Sequence, residues 1–343
     1  MRDSFDRDGI SRIARKVLVQ LVQRQPQSIS HLAHEHECSP DLILAAVDVL
    51  RSSGCILEQQ RDNVLVRQSH WTWWRGVLED ISSERGTTLG RHVLSYESTS
   101  STNDVCRQAA GQMGRPNSET LVVLADHQSA GRGRHGHRWE ARGGQSLLLS
   151  VLFPTDQRLS AQAVTLGAAI ACARSVERFA CQPVHLKWPN DVIVAGRKVA
   201  GILVETIPAG PIKRAKPRQA HPAVILGIGI NVTQTADDFP AELRSKAGSI
   251  GLASGEMVDR LALAVELLDE IQHCCMPGLS PEQIALEWKS RCHLVNRMVR
   301  LTHHGVELEG RVVDLDPSVG LVIADAYGRT HFADAGATNL VES

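Results

Sequence analysis

Apolar positions in the first 67 residues follow three short helical repeats and then a strand pair. Ile13, Val17, Leu18, Leu21 and Val22 share one face of a helix over residues 10–24. Ser28 or Ser30 can cap a short helix running to His34. Ser39-Pro40 supplies a cap and a first-turn proline for a third helix over residues 41–52, with Leu44, Val47 and Leu50 on one face. Gly54 stops that helix, and residues 55–66 read as two short strands around Arg61-Asp62-Asn63. Helix, helix, helix and hairpin in this order predict a winged helix-turn-helix. Residues 69–90, with Trp71, Trp73 and Trp74, read as a connector that packs against another part of the molecule.

From His92 to about Leu279 the pattern becomes mixed α/β. Leu121-Val-Val-Leu124, the run over residues 147–153, Val192-Ile-Val194, Gly201-Ile-Leu-Val204 and the run over residues 224–232 are expected as buried strands. Residues 161–179 predict a long alanine-rich helix and residues 258–276 a second amphipathic one. Gly196-Arg197-Lys198 between apolar runs suggests a hairpin turn. Residues 208–222, with Lys213, Arg214, Lys216 and Arg218, read as a solvated polar loop. The last fifty or so residues alternate strand and turn, at 298–301, 306–315, 321–325 and 331–332, which predicts a small SH3-like β-barrel.

A chain of 343 residues can hold two or three such units, each with its own core. Its formal net charge of -1 gives no overall drive toward nucleic acid. No apolar run exceeds strand length, so no membrane span is expected, and the polar, acidic Met1–Asp8 segment does not resemble a signal peptide. Eight cysteines lie scattered without CxxC spacing, as buried thiols in a reducing compartment do, so a cytoplasmic location is expected.

The chemistry concentrates in residues 127–142. Here Gly131, Gly133 and Gly136 alternate with arginines and histidines, and Arg132, Arg134, Arg138 and Arg142 against Glu140 give a local charge of +3. Gly131-x-Gly133-x-x-Gly136 formally matches the dinucleotide fingerprint, but that motif needs small residues between its glycines and a helix directly after. Arg132, Arg134 and His135 fill those positions instead. An exposed basic loop is the plain reading. The functional one is a flap whose guanidinium groups meet phosphate or carboxylate when a ligand arrives.

A second cluster, Lys187-Trp188-Pro189-Asn190-Asp191, puts a cation and two oxygen-bearing side chains at the mouth of a strand, with Trp-Pro expected to impose an extended approach. Singly, each of these residues is accounted for as surface lysine or turn cap. Ser100-Ser101-Thr102-Asn103-Asp104 can cap a helix or offer hydroxyls and an amide to a polar heterocycle.

Taken in order, Ser101-Thr-Asn103, residues 128–139, Lys187–Asp191, residues 196–205 and Gly227-Ile-Gly-Ile-Asn231 resemble the biotin–protein ligase family over essentially the whole chain. The N-terminal unit resembles that of the bifunctional form, ligase plus biotin-operon repressor. The resemblance implies an α/β (α+β) catalytic domain of class II synthetase type over residues 91–290. A winged helix-turn-helix over 1–68, a linker over 69–90 and an SH3-like β-barrel over 291–343 would complete the chain. It implies a two-step activity. Biotin and MgATP give biotinyl-5′-AMP, and a lysine of the biotin carboxyl carrier protein then takes the biotin. By resemblance Arg132, Arg134 and Lys187 are catalytic. Ser101, Thr102, Asn103, Gln128, Gly131, Gly133 and Gly201, with Arg132, Arg134 and Lys187, bind biotin or adenylate, and Asn190 and Asp191 are candidates for Mg2+. Operator DNA and a homodimer in the adenylate-bound state are the further implied partners.

Three features depart from the resemblance. His135 and His137 stand where the family often has another basic residue, and histidine is only fractionally charged near neutrality. Trp139 and Phe239 are the only aromatic candidates to stack on adenine, and neither is assigned. Residues 28–56, which would face DNA, carry Arg51 against Glu35, Glu37, Asp41 and Asp48, a net charge of -3. DNA affinity rests on phosphate neutralisation, so this surface predicts a weak repressor or a retained structural domain. Two alternatives stand beside the ligase: a lipoate-type ligase of similar fold, and a catalytically dead biotin-sensing transcription factor. Intact Arg132, Arg134 and Lys187 speak against the latter.

Overall fold

The computed structural model describes residues 7–112, 119–154, 160–208, 210–212, 218–220, 223–276, 278–292, 294–316 and 319–342. The N-terminal segment folds as three helices, Arg7–Gln23, Ile29–Glu35 and Pro40–Ser52, against a three-stranded antiparallel sheet. The expected caps are present: Ser28 Oγ accepts from His31 N at 3.0 Å and Ser39 Oγ from Leu42 N at 3.3 Å. Leu18, Leu21, Leu32, Ile43, Val47 and Leu50 are fully buried between them.

The connector is a helix, Trp71–Arg85, closed by Gly86 at φ 66°. Its tryptophans explain why it is ordered. Trp74 is completely buried and donates from Nε1 to Ser69 Oγ at 3.1 Å. Trp73 Nε1 reaches Ser53 Oγ at 2.6 Å, tying the connector to the end of the third helix.

The centre is a seven-stranded sheet in the order Val93–Thr99, Leu121–Gln128, Ser146–Pro154, Ala223–Asn231, Arg197–Ile207, Asp191–Val194, Val184–Lys187. The first two strands run parallel, which needs a crossover, and the helix Thr102–Gln112 supplies it. Every other neighbouring pair is antiparallel. Both faces are covered, so the central strands read as unbroken apolar runs with a period-two sorting. Val122, Leu124, Val151 and Phe153 join the main core beneath the helices Ala161–Ala180 and Arg260–Cys275. Leu121, Val123, Leu152 and Ile225 form a second core with Cys106 of the crossover helix.

Several elements were hidden in the sequence. Strand Val93–Thr99, helix Pro281–Arg291 and the last strand, Thr338–Glu342, carry no strong apolar period. The Trp188-Pro189 peptide is cis, and residues 188–190 turn a hairpin that pairs Lys187 with Asp191; the extended approach expected there is not present. The turn before Arg197 falls at Ala195-Gly196, both at positive φ. In the polar stretch 208–222, short strands Gly210–Ile212 and Arg218–Ala220 pair, while Lys213, Arg214 and Lys216 lie outside the described residues. The C-terminal segment is a five-stranded antiparallel sheet, with the last strand beside Met298–His303. Among the described residues no helix is long and apolar enough to cross a membrane. All eight cysteines are free, and burial pushes the Cys106 and Cys274 thiols up to about 12.

One charged residue ties the connector helix to the central sheet. Arg260, 2 % exposed, ion-pairs through Nη2 with Asp126 Oδ1 at 2.8 Å and donates from Nη1 to Ser146 O at 3.3 Å. Its guanidinium lies 4.8 Å from the centre of the Trp74 ring. The preceding Asp259 caps the helix by accepting from Ala262 N at 2.9 Å, and its other oxygen accepts from Ser69 N at 2.5 Å. Burial pushes the Asp259 carboxyl above its usual range, opposed by these donors. Removing one partner of a buried pair leaves an uncompensated charge, so Arg260→Met should cost about 3–5 kcal/mol. Urea unfolding checks this, and a loss below about 1 kcal/mol would show the pair to be dispensable.

Candidate active site

On one face of the central sheet the apolar core gives way to a cavity. Leu152, Ile225 and Ile207 pack beneath the crossover helix. Two residues along each strand the same face carries Ser150, Gly227 and Glu205. The cavity, about 280 Å³, is lined by Ser101, Thr102, Asn103, Gln128, Arg132, Gly133, Arg134, Lys187, Asn190, Asp191 and Gly201 from the expected set. Gly131 does not line it. A side chain at Gly131 would meet the Trp139 carbonyl at 2.7 Å, so this glycine permits the flap to close on itself.

Ser101, Thr102 and Asn103 are buried and begin the crossover helix. Gln128 Oε1 accepts from Thr102 N at 2.7 Å and from Thr102 Oγ1 at 3.0 Å. Ser150 Oγ lies 2.6 Å from both Thr102 Oγ1 and Asn103 Oδ1, and Asn103 Nδ2 donates to Glu205 Oε2 at 2.7 Å. The result is a wall of neutral donors and acceptors toward the cavity, with the Glu205 carboxylate bonded to Asn103. Gly227 faces Asn103 so closely that any side chain there would displace the amide. A Cβ at Gly229 would lie 2.6 Å from Trp139, and one at Gly201 3.1 Å from it. The glycines make room for Asn103 and for the indole.

The flap is a closed loop. Arg132 bridges to Arg138, Gly133 N donates to His137 O at 2.7 Å, and Arg134–Gly136 form one 3-10 turn. Its arginines are committed to protein partners. Arg132 ion-pairs with Asp104 at 2.8 Å and lies 3.6 Å from Glu205. The Arg132 hydrogen bond, above all, holds the Asp104 carboxyl below its usual range. Arg134 Nη2 donates to the carbonyls of Ala335, Gly336 and Thr338 at 2.7, 3.0 and 2.8 Å, and Nη1 to Asn190 Oδ1 at 3.3 Å. Burial lowers the Arg134 pKa, against the pull of Asp191 and Asp334. Arg138 and Arg142 pair with Glu140 and Asp238.

Lys187 differs from its neighbours. It is exposed at the cavity, and among the described residues it makes neither ion pair nor side-chain hydrogen bond. Arg134 likewise has acceptors but no carboxylate within ion-pair distance among the described residues. These two are the cations an incoming anion would find unneutralised. Asn190 spends its amide on Ile202 O (2.8 Å) and Arg134, and Asp191 Oδ1 pairs with Lys198 at 2.6 Å. That donor set offers a magnesium ion one carboxylate at most, which suits a cation arriving on nucleotide phosphates better than one held by the protein alone.

The sequence motifs contain Asp104, Lys198 and Glu205 without giving them a site role, and they do not single out Ser150 or Leu340. Ser150 had a signal, as a lone hydroxyl in an otherwise apolar strand; Leu340 had none. Of the aromatic candidates, Trp139 lines the cavity and Phe239 lines a neighbouring one beside Arg142 and Asp238. His137 lines the main cavity, whereas the side chain of His135 lies outside the described residues.

Residues 95–216 match the biotin/lipoate A/B protein ligase family. The chain is 35% identical to the bifunctional ligase/repressor BirA of Bacillus spizizenii over 85% of its own length and 87% of that protein's. It is 33% identical to the biotin–[acetyl-CoA-carboxylase] ligase of Mycobacterium tuberculosis, covering 63% of this chain and 77% of that one. Its fold is similar to the biotin protein ligase of Aquifex aeolicus solved with biotin and ATP, with a TM-score of 0.59 at 23% identity over 74% of this chain and 99% of that one.

Asp104's lowered pKa sets a pH window for the flap. A depressed carboxyl contributes fully above its unfolded pKa, about 3.9, and the contribution is lost as pH falls through the lower folded value. Trp139 fluorescence should therefore stay constant down to about pH 4 and change only below it. A signal that does not change below about pH 4, or a change there that persists in Asp104→Asn, would rule out the Arg132–Asp104 tether.

Proposed function

The chain belongs to the biotin/lipoate A/B protein ligase family, and from that premise we propose that it is an ATP-dependent biotin–protein ligase. The observation that carries the reading is the meeting of two un-ion-paired cations, Lys187 and Arg134, with the neutral wall of Ser101, Thr102 and Asn103 in one cavity. A ureido ring needs hydroxyl and amide partners, and the joining of two anions needs positive charge where they meet.

In the first step a biotin carboxylate oxygen attacks the α-phosphorus of ATP. The bond to the β-phosphate oxygen breaks and pyrophosphate leaves. Lys187, exposed at the cavity and without an ion-pair partner among the described residues, is the cation we assign to neutralise carboxylate and α-phosphate together. Arg134, already desolvated, adds charge without first paying for its own burial. Arg132 acts through position: its pair with Asp104 holds the flap against the crossover helix. Ser101, Thr102, Asn103 and Gln128 hold the biotin ring, and Gly131, Gly133 and Gly201 allow close backbone and indole packing around it. Magnesium, when bound with the nucleotide, screens the phosphate charge, and Asp191 is its protein partner of choice; Asn190 serves Arg134 instead. In the second step a lysine amine of the biotin carboxyl carrier protein attacks the acyl carbon, AMP leaves, and the amine loses its proton. A flap closed over the adenylate keeps water from the same carbon.

We further infer that residues 7–68 are a winged helix-turn-helix and the C-terminal sheet an SH3-like barrel, with operator DNA as a partner of a dimer. Arg51, the lone cation of the helix that would face DNA, is bonded to Asp48 and Gln59, both at 3.3 Å. Specific binding by this helix is therefore expected to be weak and to rest on dimerisation.

Biotin-dependent ATP–pyrophosphate exchange tests the ligase. Exchange should occur with biotin and not with lipoate or without acid. Lys187→Ala should lower it by roughly 10²-fold or more, and exchange driven by lipoate alone would overturn the assignment. Arg134→Ala should release biotinyl-5′-AMP faster and biotinylate bystander lysines; unchanged dissociation would remove the flap from the mechanism. A gel shift with the chain's own operator, with and without biotin, tests the repressor reading.

A further inference from the structure

The hairpin joining strands Met298–His303 and Val306–Asp316 turns through His304 and Gly305, at φ 48° and 80°. A two-residue turn with both φ positive fits the twist of antiparallel strands, and glycine and asparagine are its usual occupants. A histidine at the first position is uncommon and has a consequence. It brings the His304 ring against that of His303, with centroids 4.4 Å apart and planes at 63°. Across from both stands Asp334. Its Oδ2 is 3.8 Å from Nε2 of His303 and 3.8 Å from Nε2 of His304. The three ligating atoms all lie within 4.8 Å of one another.

We propose that His303, His304 and Asp334 form a site for a divalent transition cation of the zinc class. Imidazole nitrogen with carboxylate oxygen suits such ions. Ligand atoms around tetrahedral zinc stand about 3.4 Å apart, given bonds near 2.05 Å. Asp334 Oδ2 stands 3.8 Å from each Nε2, so a bound cation would draw the ligands together by a few tenths of an ångström, and the exposed His304 ring and the part-exposed Asp334 have room to move. The groups behind the ligands are also arranged for it. His303 Nδ1 lies 3.1 Å from Oγ1 of the fully buried Thr338. With Nδ1 as the donor, the Nε2 lone pair is free for a metal, as second ring nitrogens of metal-binding histidines are commonly held. Asp334 divides its oxygens in the same way. Oδ1 accepts from Gly336 N and Ala337 N at 2.8 and 2.9 Å, leaving Oδ2 toward the histidines. His304 is exposed and Asp334 partly so, so water can supply the fourth ligand.

The site sits behind the flap's anchor. The turn that Asp334 Oδ1 holds together, residues 334–338, presents the three carbonyls that receive Arg134. A cation on Oδ2 would fix that turn from its outer side.

The test uses the full chain stripped of metal by a chelator. Zinc binding is measured by equilibrium dialysis with metal analysis, and cobalt(II) is used as a spectroscopic probe. Wild type should bind one more equivalent of zinc than His304→Asn or Asp334→Asn, or bind it at least about tenfold more tightly. It should also show the visible bands of tetrahedral cobalt, which both variants lose. Asparagine tolerates the left-handed conformation, so His304→Asn keeps the turn, and an unchanged metal-free Tm for that variant confirms folding. Equal zinc stoichiometry and affinity in wild type and His304→Asn would overturn the proposal. So would a cobalt spectrum of purely octahedral type. Neither result depends on whether the chain activates biotin.

Discussion

The arrangement of the molecule depends on a guanidinium that has nowhere else to go. Arg260 is enclosed, and a charge taken out of water that far must be met on several sides. Its partners come from three places: Trp74 on the connector helix, Asp126 on the strand that ends at Gln128, and the carbonyl of Ser146 at the start of the next strand. An apolar residue of similar size could bury as much surface, but it would not dictate which three segments converge. Gln128 lies two residues beyond Asp126 and orients Thr102. The wall of the cavity and the seat of the connector helix thus meet at one ion pair.

The cavity is the same sheet face as the smaller core, with the large side chains removed. Leu152, Ile225 and Ile207 fill the space beneath the crossover helix; further along, Gly227, Gly229 and Gly201 leave it open, and Asn103 and Trp139 occupy part of what they leave. This explains a pattern that looks contradictory in sequence, in which glycines interrupt an apolar strand. They do not weaken the sheet at a solvent-exposed point. They let polar and aromatic groups approach its backbone, which side chains would prevent.

Much of this was legible in the chain because short-range chemistry decides it. Caps at Ser28 and Ser39, the buried runs at 147–153 and 224–232 and the helix after Ser160 depend on neighbours in sequence, and they occur where those neighbours put them. The clustering of Ser101–Asn103, Lys187 and the flap was also legible, as a set of motifs. What the motifs could not supply was each side chain's partner. Arg132 reads as a ligand-seeking arginine, but Asp104 and Glu205 lie 28 and 73 positions away and answer it first. The Trp188-Pro189 turn and the strand at 338–342 are fixed by the elements they pair with, and their own residues carry little preference. Ser69–Gly90 showed its packing residues without showing that they form a helix, since Trp71, Trp73 and Trp74 in succession do not keep a helical period.

Arg134 draws its acceptors from two parts of the chain: Asn190 of the central sheet and the carbonyls between Ala335 and Thr338. Backbone carbonyls cannot be altered by substitution, only by a change in the path of the chain. The C-terminal segment is therefore not an accessory that can be exchanged freely. A chimera that borrows its C-terminal sheet from another protein keeps this flap anchored only if the graft reproduces the course of residues 334–338, whatever side chains it brings.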